Sequence, residues 1–268
     1  MAEPRVLVLA GHGINCEEET KFAFDRAGAK AELVHVNDLI NKSKNLEDYQ
    51  ILAFPGGFSF GDDTGSGNAL ANKIKNHLWD EIKYFVEGDK LAIGICNGFQ
   101  VMTSLGLLPA LDRKYGNQQV ALLPNENARY FTRWVDLKFE GKSPWTNGIE
   151  EMIIPIAHGE GKFYADQGIL DKIENGKLVA ARYVRGDICN HFSLDANPNG
   201  SLNDIAAIMD KTGKLIGMMP HPERAVDVAQ LPHYTWIREK CKRERRDVPD
   251  FGQGLKIFEN AVKYFEED

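Results

Sequence analysis

The chain has no CxxC pair. Its four cysteines, Cys16, Cys96, Cys189 and Cys241, are scattered without a repeat spacing, a pattern that suits a reducing compartment. At 268 residues a folded chain buries roughly three quarters of the surface its unfolded form exposes, so a core needs neither disulfides nor structural metal. Cys189 and His191 in "DICNHF" offer two ligand types, but no second pair completes a set, and no metal is expected. Positive charge is not in excess either: the formal net charge of −7 argues against nucleic acid and against an anionic membrane surface as partners. No run approaches the roughly 20 apolar residues of a membrane span, and only four residues precede the first apolar run, "RVLVLA". A cytoplasmic location is expected.

Low-complexity linkers and internal repeats are also missing, so residues 1–268 read as a single domain. What is present is an alternation. "RVLVLA", "AELVHV", "ILAFP" and "KLAIGI" are short continuous apolar runs, separated by helical patterns such as "CEEETKFAFDRAG" and "GNALANKIKNHLWDEIKYFVEG". Continuous apolar strands alternating with helices predict an α/β fold, with a mostly parallel central sheet and helices on both faces. After about residue 110 the rhythm changes to runs such as "RWVDLKFE", "MIIPIA" and "LIGMMP", divided by "NG" at 147 and 175, "NPNG" at 197 and "KTGK" at 211. These predict hairpins in an antiparallel β-rich portion on the same sheet. Near the end, "HYTWIREKCKRERRD" is a charged helical pattern that reads as a solvated face, and "GQGLKIFENAVKYFEED" is amphipathic, with Leu255, Phe258, Val262 and Phe265 on one side.

In open α/β sheets ligands bind beyond the carboxyl ends of the strands, which directs attention to three loops. The first is "GICNGFQ", where a strand ends on Gly-x-Cys-x-Gly and a helix begins. Such a turn pushes a nucleophile out on a strained backbone, and the helix N-terminus beyond it favours a thiolate. On this local pattern alone, a nucleophilic Cys96 and a buried packing cysteine fit equally well. The second is "FPGGFSFGDD", where Gly57 lets a backbone N–H approach a developing oxyanion, with the N–H of Asn97 as a second donor; a plain tight turn fits it as well. The third is "GMMPHPERA": His221 follows an apolar run, and Glu223 stands two residues on, close enough in an extended segment to receive an imidazole N–H. His158, in "IPIAHGEGKF", also stands at a strand end.

One chemistry needs all three loops. "GICNGFQ", the Pro-Gly-Gly loop before it and the late His-Pro-Glu together resemble the class I, triad-type glutamine amidotransferases. The wording of "PGGFSFGD", "LLPNENARYF", "IPIAHGEGKF", "NPNGS" and "GMMPHPERAV" is closest to the glutaminase subunits of phosphoribosylformylglycinamidine synthases. The resemblance runs from about residue 5 to 226 and resumes at "GLKIFENAV". It implies that Cys96 attacks the side-chain amide of L-glutamine, that His221 shuttles the proton and that Glu223 orients His221. The amides of Gly57 and Asn97 hold the oxyanion, and Gln100, Ala157, His158 and Gly159 help hold the amino-acid end of the substrate.

The chain has no G-x-x-x-x-G-K-[ST] loop. The resemblance accordingly implies no cofactor in this chain, with ATP and magnesium on a large synthetase subunit, often joined by a small third subunit, that makes formylglycinamidine ribonucleotide in purine synthesis. Two stretches depart from the family: "DTGSGNALA", which affects Asp62 to Asn68, and an apparent insertion at about 227–250. The alternatives are a glutamine amidotransferase subunit of another synthetase, against which "AHGEGKF" and "NPNGS" count, and a non-catalytic regulatory subunit, which should have lost a nucleophile, base or oxyanion glycine. A cysteine peptidase on the same fold is disfavoured by the late His-Pro-Glu.

Overall fold

The computed structural model describes residues 3–266. In chain order it contains β1 (Arg5–Ala10), α1 (Glu17–Arg26), β2 (Lys30–His35), α2 (Val36–Ile40), β3 (Ile51–Phe54), α3 (Asn68–His77), α4 (Trp79–Glu87), β4 (Leu91–Ile95) and α5 (Asn97–Ser104). There follow β5 (Ala121–Pro124), β6 (Phe131–Phe139), β7 (Glu151–His158), β8 (Glu160–Tyr164), α6 (Gln167–Asn175), β9 (Val179–Val184), α7 (Asp187–Phe192), β10 (Ile205–Met209), β11 (Leu215–Met218), α8 (Tyr234–Arg243) and α9 (Leu255–Tyr264).

Among the described residues, nine strands form one sheet in the order β2-β1-β3-β4-β11-β10-β9-β6-β7, and β5 pairs with β8 in a separate ribbon. The first five are parallel, and every later pairing is antiparallel. The inner parallel strands read as continuous apolar runs because both their faces are covered: β3 and β4 are buried at every residue, whereas the edge strand β2 is only partly buried. Gly94 pairs with Phe54 of β3 on one side and Gly217 of β11 on the other, so three strands end level with one another. Their carboxyl ends make one rim.

The predicted fold class holds, with local corrections. "KTGK" does turn β10 into β11. The "NG" at 175 instead ends the helix α6, and "NPNG" precedes a short turn before β10; both sites are helix or loop terminators here. Glycine and asparagine end helices as readily as they turn hairpins, so composition alone does not separate the two; here Gly176 keeps a right-handed conformation, and Lys177 takes the positive φ of 55°. Both α6 and α7 lie within the stretch read as β-rich. The long helical pattern 67–88 is two helices, broken at Leu78, whose φ of −136° is not helical.

The C-terminal helix closes one face. Leu255, Phe258 and Val262 are buried as expected, and Phe265 is partly buried. Phe258 meets Phe24 of α1 edge-to-face with ring centroids 4.9 Å apart, and Asn260 Nδ2 donates to the carbonyls of Trp145 and Asn147. The segment 228–250 leaves and rejoins the fold at one place: Asp227 and Phe251 form an isolated antiparallel bridge, and Gly252 N donates to Val226 O.

Candidate active site

Cys96 sits between β4 and α5 with φ 52° and ψ −109°, a conformation that costs an L-residue of order 1–3 kcal/mol and persists only where the surroundings enforce it. What enforces it is visible in the neighbours. A Cβ on Gly98 would lie 1.8 Å from the Phe54 carbonyl, and one on Gly94 would lie 2.7 Å from the Gly98 carbonyl, so the turn closes only with glycine at both places. The Cys96 N–H donates to Met218 O at 2.8 Å, which fixes the elbow to β11. The thiol itself is buried, and Sγ lies 3.7 Å from the Ala157 carbonyl.

His221 enters from the end of β11. Its N–H donates to Pro155 O of β7 at 2.8 Å, and its Nδ1 lies 2.6 Å from Glu223 Oε1. The intervening backbone is not extended, as the sequence suggested, but a single 3₁₀ turn over Pro222–Arg224. The proline fixes that turn, and the two side chains still meet. Burial opposes a charge on His221, yet the carboxylate of Glu223 and the sulfur of Cys96 hold its pKa well above the ordinary value. Its Nε2 is buried without a protein partner.

Gly56 shows how close these groups are. A Cβ there would lie 2.8 Å from His221 Cε1, 3.2 Å from Cys16 Sγ and 3.4 Å from Cys96 Cβ. Gly57, with φ +148°, is pressed on its other side against Gly13, Ile14 and Asn15. The strand-like bridge between Ile14 and Gly57 runs through Asn15 N to Gly56 O and Phe58 N to Gly13 O. That bonding pattern leaves the Gly57 N–H outside the bridge. Asn97 is the first residue of α5, where the N–H has no intrahelical acceptor.

The Asn97 side chain organises the loop opposite. Its Oδ1 accepts from Ser59 N, and its Nδ2 donates to Asp62 Oδ1 and to Gln100 Oε1. Gln100 Nε2 in turn donates to the Glu160 carbonyl. Asp62 therefore faces inward, while Asp63 and Thr64 after it are exposed: Asp62 is half-buried, and burial raises its carboxyl above the usual range. Ser66 N also reaches Glu160 Oε2.

His158 is a second buried imidazole of opposite character. Asn125 Oδ1 already accepts from Gly161 N, so it also accepts from His158 Nδ1–H at 3.0 Å and fixes the tautomer with a bare Nε2. Burial first, and the charge of His221 second, push its pKa down to about 3. A neutral His158 does not compete with His221 for the proton. Asn125 N also donates to Gly159 O, so the loop from Ala157 to Gly159 is held from the β5 side.

All nine residues singled out in the sequence lie at or beside this rim. Three others were missed. Cys16 is buried beside His221, and Arg224 Nη2 reaches its Sγ at 2.9 Å. Asn125 holds His158. The available signal for Cys16 was its place in "GHGINC", the loop that ends β1 on the same rim. Cys16, His221 and Glu223 also offer donor atoms within 4.8 Å of one another, a cluster the sequence spacing did not reveal.

Comparison with known proteins identifies the family. The family profile of the CobB/CobQ-like glutamine amidotransferase domain matches residues 3–265. The phosphoribosylformylglycinamidine synthase subunit PurQ of Methanococcus maripaludis is 50% identical over 267 residues, covering 98% of each chain. That of Dehalococcoides mccartyi is 41% identical over 266 residues, again covering 98% of each. Among solved structures, PurLQS from Thermotoga maritima superposes with a TM-score of 0.72 at 29% identity, covering 98% of this chain and 100% of that one. With a strained cysteine elbow, a buried His–Glu pair and a match along nearly its whole length, the chain belongs to the CobB/CobQ-like glutamine amidotransferases and, within them, to the PurQ-type glutaminase subunits of phosphoribosylformylglycinamidine synthase.

Proposed function

We infer that Cys96, His221 and Glu223 carry the glutaminase reaction and that the amides of Gly57 and Asn97 stabilise its oxyanion. The observation that carries this reading is the pairing of His221 Nδ1 with Glu223 at 2.6 Å while Nε2 lies buried and unpartnered, with the ring edge against the Gly56 face that Cys96 also touches. The thiolate of Cys96 adds to the side-chain carbonyl carbon of L-glutamine, and the carbonyl electron pair moves onto the oxygen facing the two amides. Collapse of that intermediate breaks the C–N bond as His221 donates its proton to the departing ammonia. Water then adds to the thioester, giving its proton to His221, and glutamate leaves as the thiol is restored. Glu223 keeps the imidazole in the orientation and tautomer both steps require.

Gln100, Ala157, His158 and Gly159 form the wall against which the amino-acid end of glutamine rests. Their mutual bonds through Asn97, Glu160 and Asn125 make that wall stiff before substrate arrives. His158 serves binding and not proton transfer, because its pKa of about 3 keeps it neutral.

The ammonia passes to a large synthetase subunit, with a small third subunit in the same complex, and the product is formylglycinamidine ribonucleotide. The likeness to PurLQS and to the PurQ relatives supports this assembly. ATP and magnesium act on the synthetase, and no cofactor is assigned to this chain. No helix among the described residues is long and apolar enough to cross a membrane, which fits a cytoplasmic enzyme. The chain reads as one domain, with about 227–250 as an insertion whose two ends meet at the Asp227–Phe251 bridge.

The test separates chemistry from docking. Cys96→Ala and His221→Ala abolish glutamine-dependent synthesis in the reconstituted complex while ammonia-dependent synthesis continues. Glutaminase turnover that survives Cys96→Ala removes the nucleophile assignment.

A further inference from the structure

Cys16 lies at a junction between the two halves of the catalytic apparatus. Its N–H, with that of Asn15, donates to the Gly56 carbonyl at 3.2 and 3.3 Å. In a planar trans peptide the carbonyl and the following N–H point to opposite sides, so these two bonds set the direction of the Gly57 N–H. The Cys16 carbonyl is itself held by Thr20, through N–H at 3.0 Å and Oγ1 at 2.7 Å, at the start of α1.

The sulfur faces the other half. Arg224 Nη2 donates to Cys16 Sγ at 2.9 Å, and Arg224 belongs to the same 3₁₀ turn as Glu223. Cys16 is 1% exposed, and its sulfur lies on the Gly56 face that His221 and Cys96 share. Packing alone explains a small buried residue here. It does not explain a guanidinium, half-buried at a cost in hydration, aimed at a sulfur.

We propose that Cys16 is a positioning residue for the glutaminase reaction, its amide fixing the oxyanion strand at Gly56–Gly57 and its sulfur, through Arg224, fixing the His221–Glu223 turn to that strand. The proposal rests on the assignment of Cys96, His221 and Gly57 given above. It adds a connection: the group that polarises the substrate carbonyl and the group that moves the proton are held in register by one residue.

The experiment uses the full chain in complex with its synthetase, with glutamine as substrate and a diazoketone analogue of glutamine as covalent probe of Cys96. Cys16→Ala removes the acceptor of the Arg224 bond and lowers kcat by about 10- to 100-fold, the range expected for a misplacement of up to about 1 Å. KM for glutamine stays within about twofold of the unaltered chain, and the pH–rate limb set by His221 moves to lower pH. Cys16→Ser, whose hydroxyl accepts the same bond, recovers kcat to within roughly threefold. Arg224→Gln reproduces the kcat loss of Cys16→Ala without its shift of the His221 limb to lower pH, since it removes a cation and not an acceptor, and the double variant is no worse in kcat than either single one, as for residues acting as a unit.

Unchanged kcat and pH profile in both Cys16→Ala and Arg224→Gln overturn the positioning role, as does a loss in Cys16→Ala that Cys16→Ser fails to recover. Probe bound to Cys96 in the unaltered chain keeps the underlying assignment intact in either case. Failure to label Cys96 in the unaltered chain overturns the assignment and this proposal together.

Discussion

His221 Nδ1 and Glu223 Oε1 lie 2.6 Å apart with both side chains buried. Glu223 is the main group holding the His221 pKa up, since burial acts the other way. In Glu223→Gln only burial and the sulfurs remain, so the pKa of His221 falls, and the pH–rate limb that reports it moves to lower pH. Turnover of glutamine falls by about 10²- to 10⁴-fold, the scale seen when the orienting carboxylate of a triad is neutralised. A wild-type pH profile in this variant would show that Glu223 does not set the charge of His221.

The same pair makes stability depend on pH. Because the folded pKa of His221 is raised, its contribution is complete below the unfolded value near 6.5 and is lost as pH rises through the folded value. Glu223→Gln weakens that contribution by leaving a buried imidazole without its carboxylate. Denaturant melts of the two chains at several pH values above 6.5 therefore converge as the pH increases.

His158 acts in the acid range. With a folded pKa of about 3 and an unfolded value near 6.5, its contribution to stability is full above pH 6.5 and is lost as pH falls, because the unfolded chain takes up the proton that the folded one refuses. The folding equilibrium constant falls by up to about tenfold per pH unit from this group. His158→Gln flattens that slope between pH 6.5 and 3 in acid unfolding curves. An unchanged slope would mean that His158 is protonated in the folded chain.

Gly57 has no tolerance for a side chain. A Cβ there would meet the Gly13 carbonyl at 2.7 Å and Asn15 N at 2.8 Å, at a φ of +148°. Gly57→Ala displaces the oxyanion strand and lowers kcat for glutamine by about 10²- to 10³-fold, while ammonia-dependent synthesis is retained. Equal loss with ammonia would mean that the substitution disturbs the complex and not the oxyanion.

Phe258 tests the closing helix. It is wholly buried and stacks edge-to-face on Phe24, so Phe258→Ala costs about 3–5 kcal/mol of stability. Thermal or urea unfolding measures it, and a loss under 1 kcal/mol would show that α9 does not belong to the cooperative core.

The parallel half of the fold was legible in the sequence because its inner strands β3, β4 and β11 are buried at every residue, and continuous apolar runs such as "LAIGI" signal that directly. The elbow was legible because its signature, Gly-x-Cys-x-Gly between a strand and a helix, is contiguous; Gly94 is required by contacts inside the elbow, whereas Gly98 is required by the Phe54 carbonyl of β3, a contact only the folded sheet supplies. The helices α6 and α7 were not. Their segments "QGILDKIEN" and "DICNHF" lie among strands and are bounded by residues that end helices and turn hairpins alike. The role of Asn97 as a tether for Asp62, and of Asn125 as the anchor of His158, depends on partners 35 and 33 residues away, a separation at which spacing carries no geometric information.

What the sequence determined by itself is the chemistry: a thiol at a strand-to-helix turn, an imidazole with a carboxylate two residues on, and glycines where a backbone donor is needed. The thiol turn and the His-x-Glu pair are contiguous patterns, and the Pro-Gly-Gly loop is readable as a motif, although the contacts that demand glycine at Gly57 come from Gly13 to Asn15. What only the tertiary structure decided is which groups share the site. The sheet brings the ends of β1, β3, β4 and β11 to one rim and returns β7 to it, so that Cys16 meets Arg224 across 208 residues and Pro155 holds the amide of His221. Those contacts arise from the closure of the fold around a common core, where strand order and register set distances that no local pattern encodes.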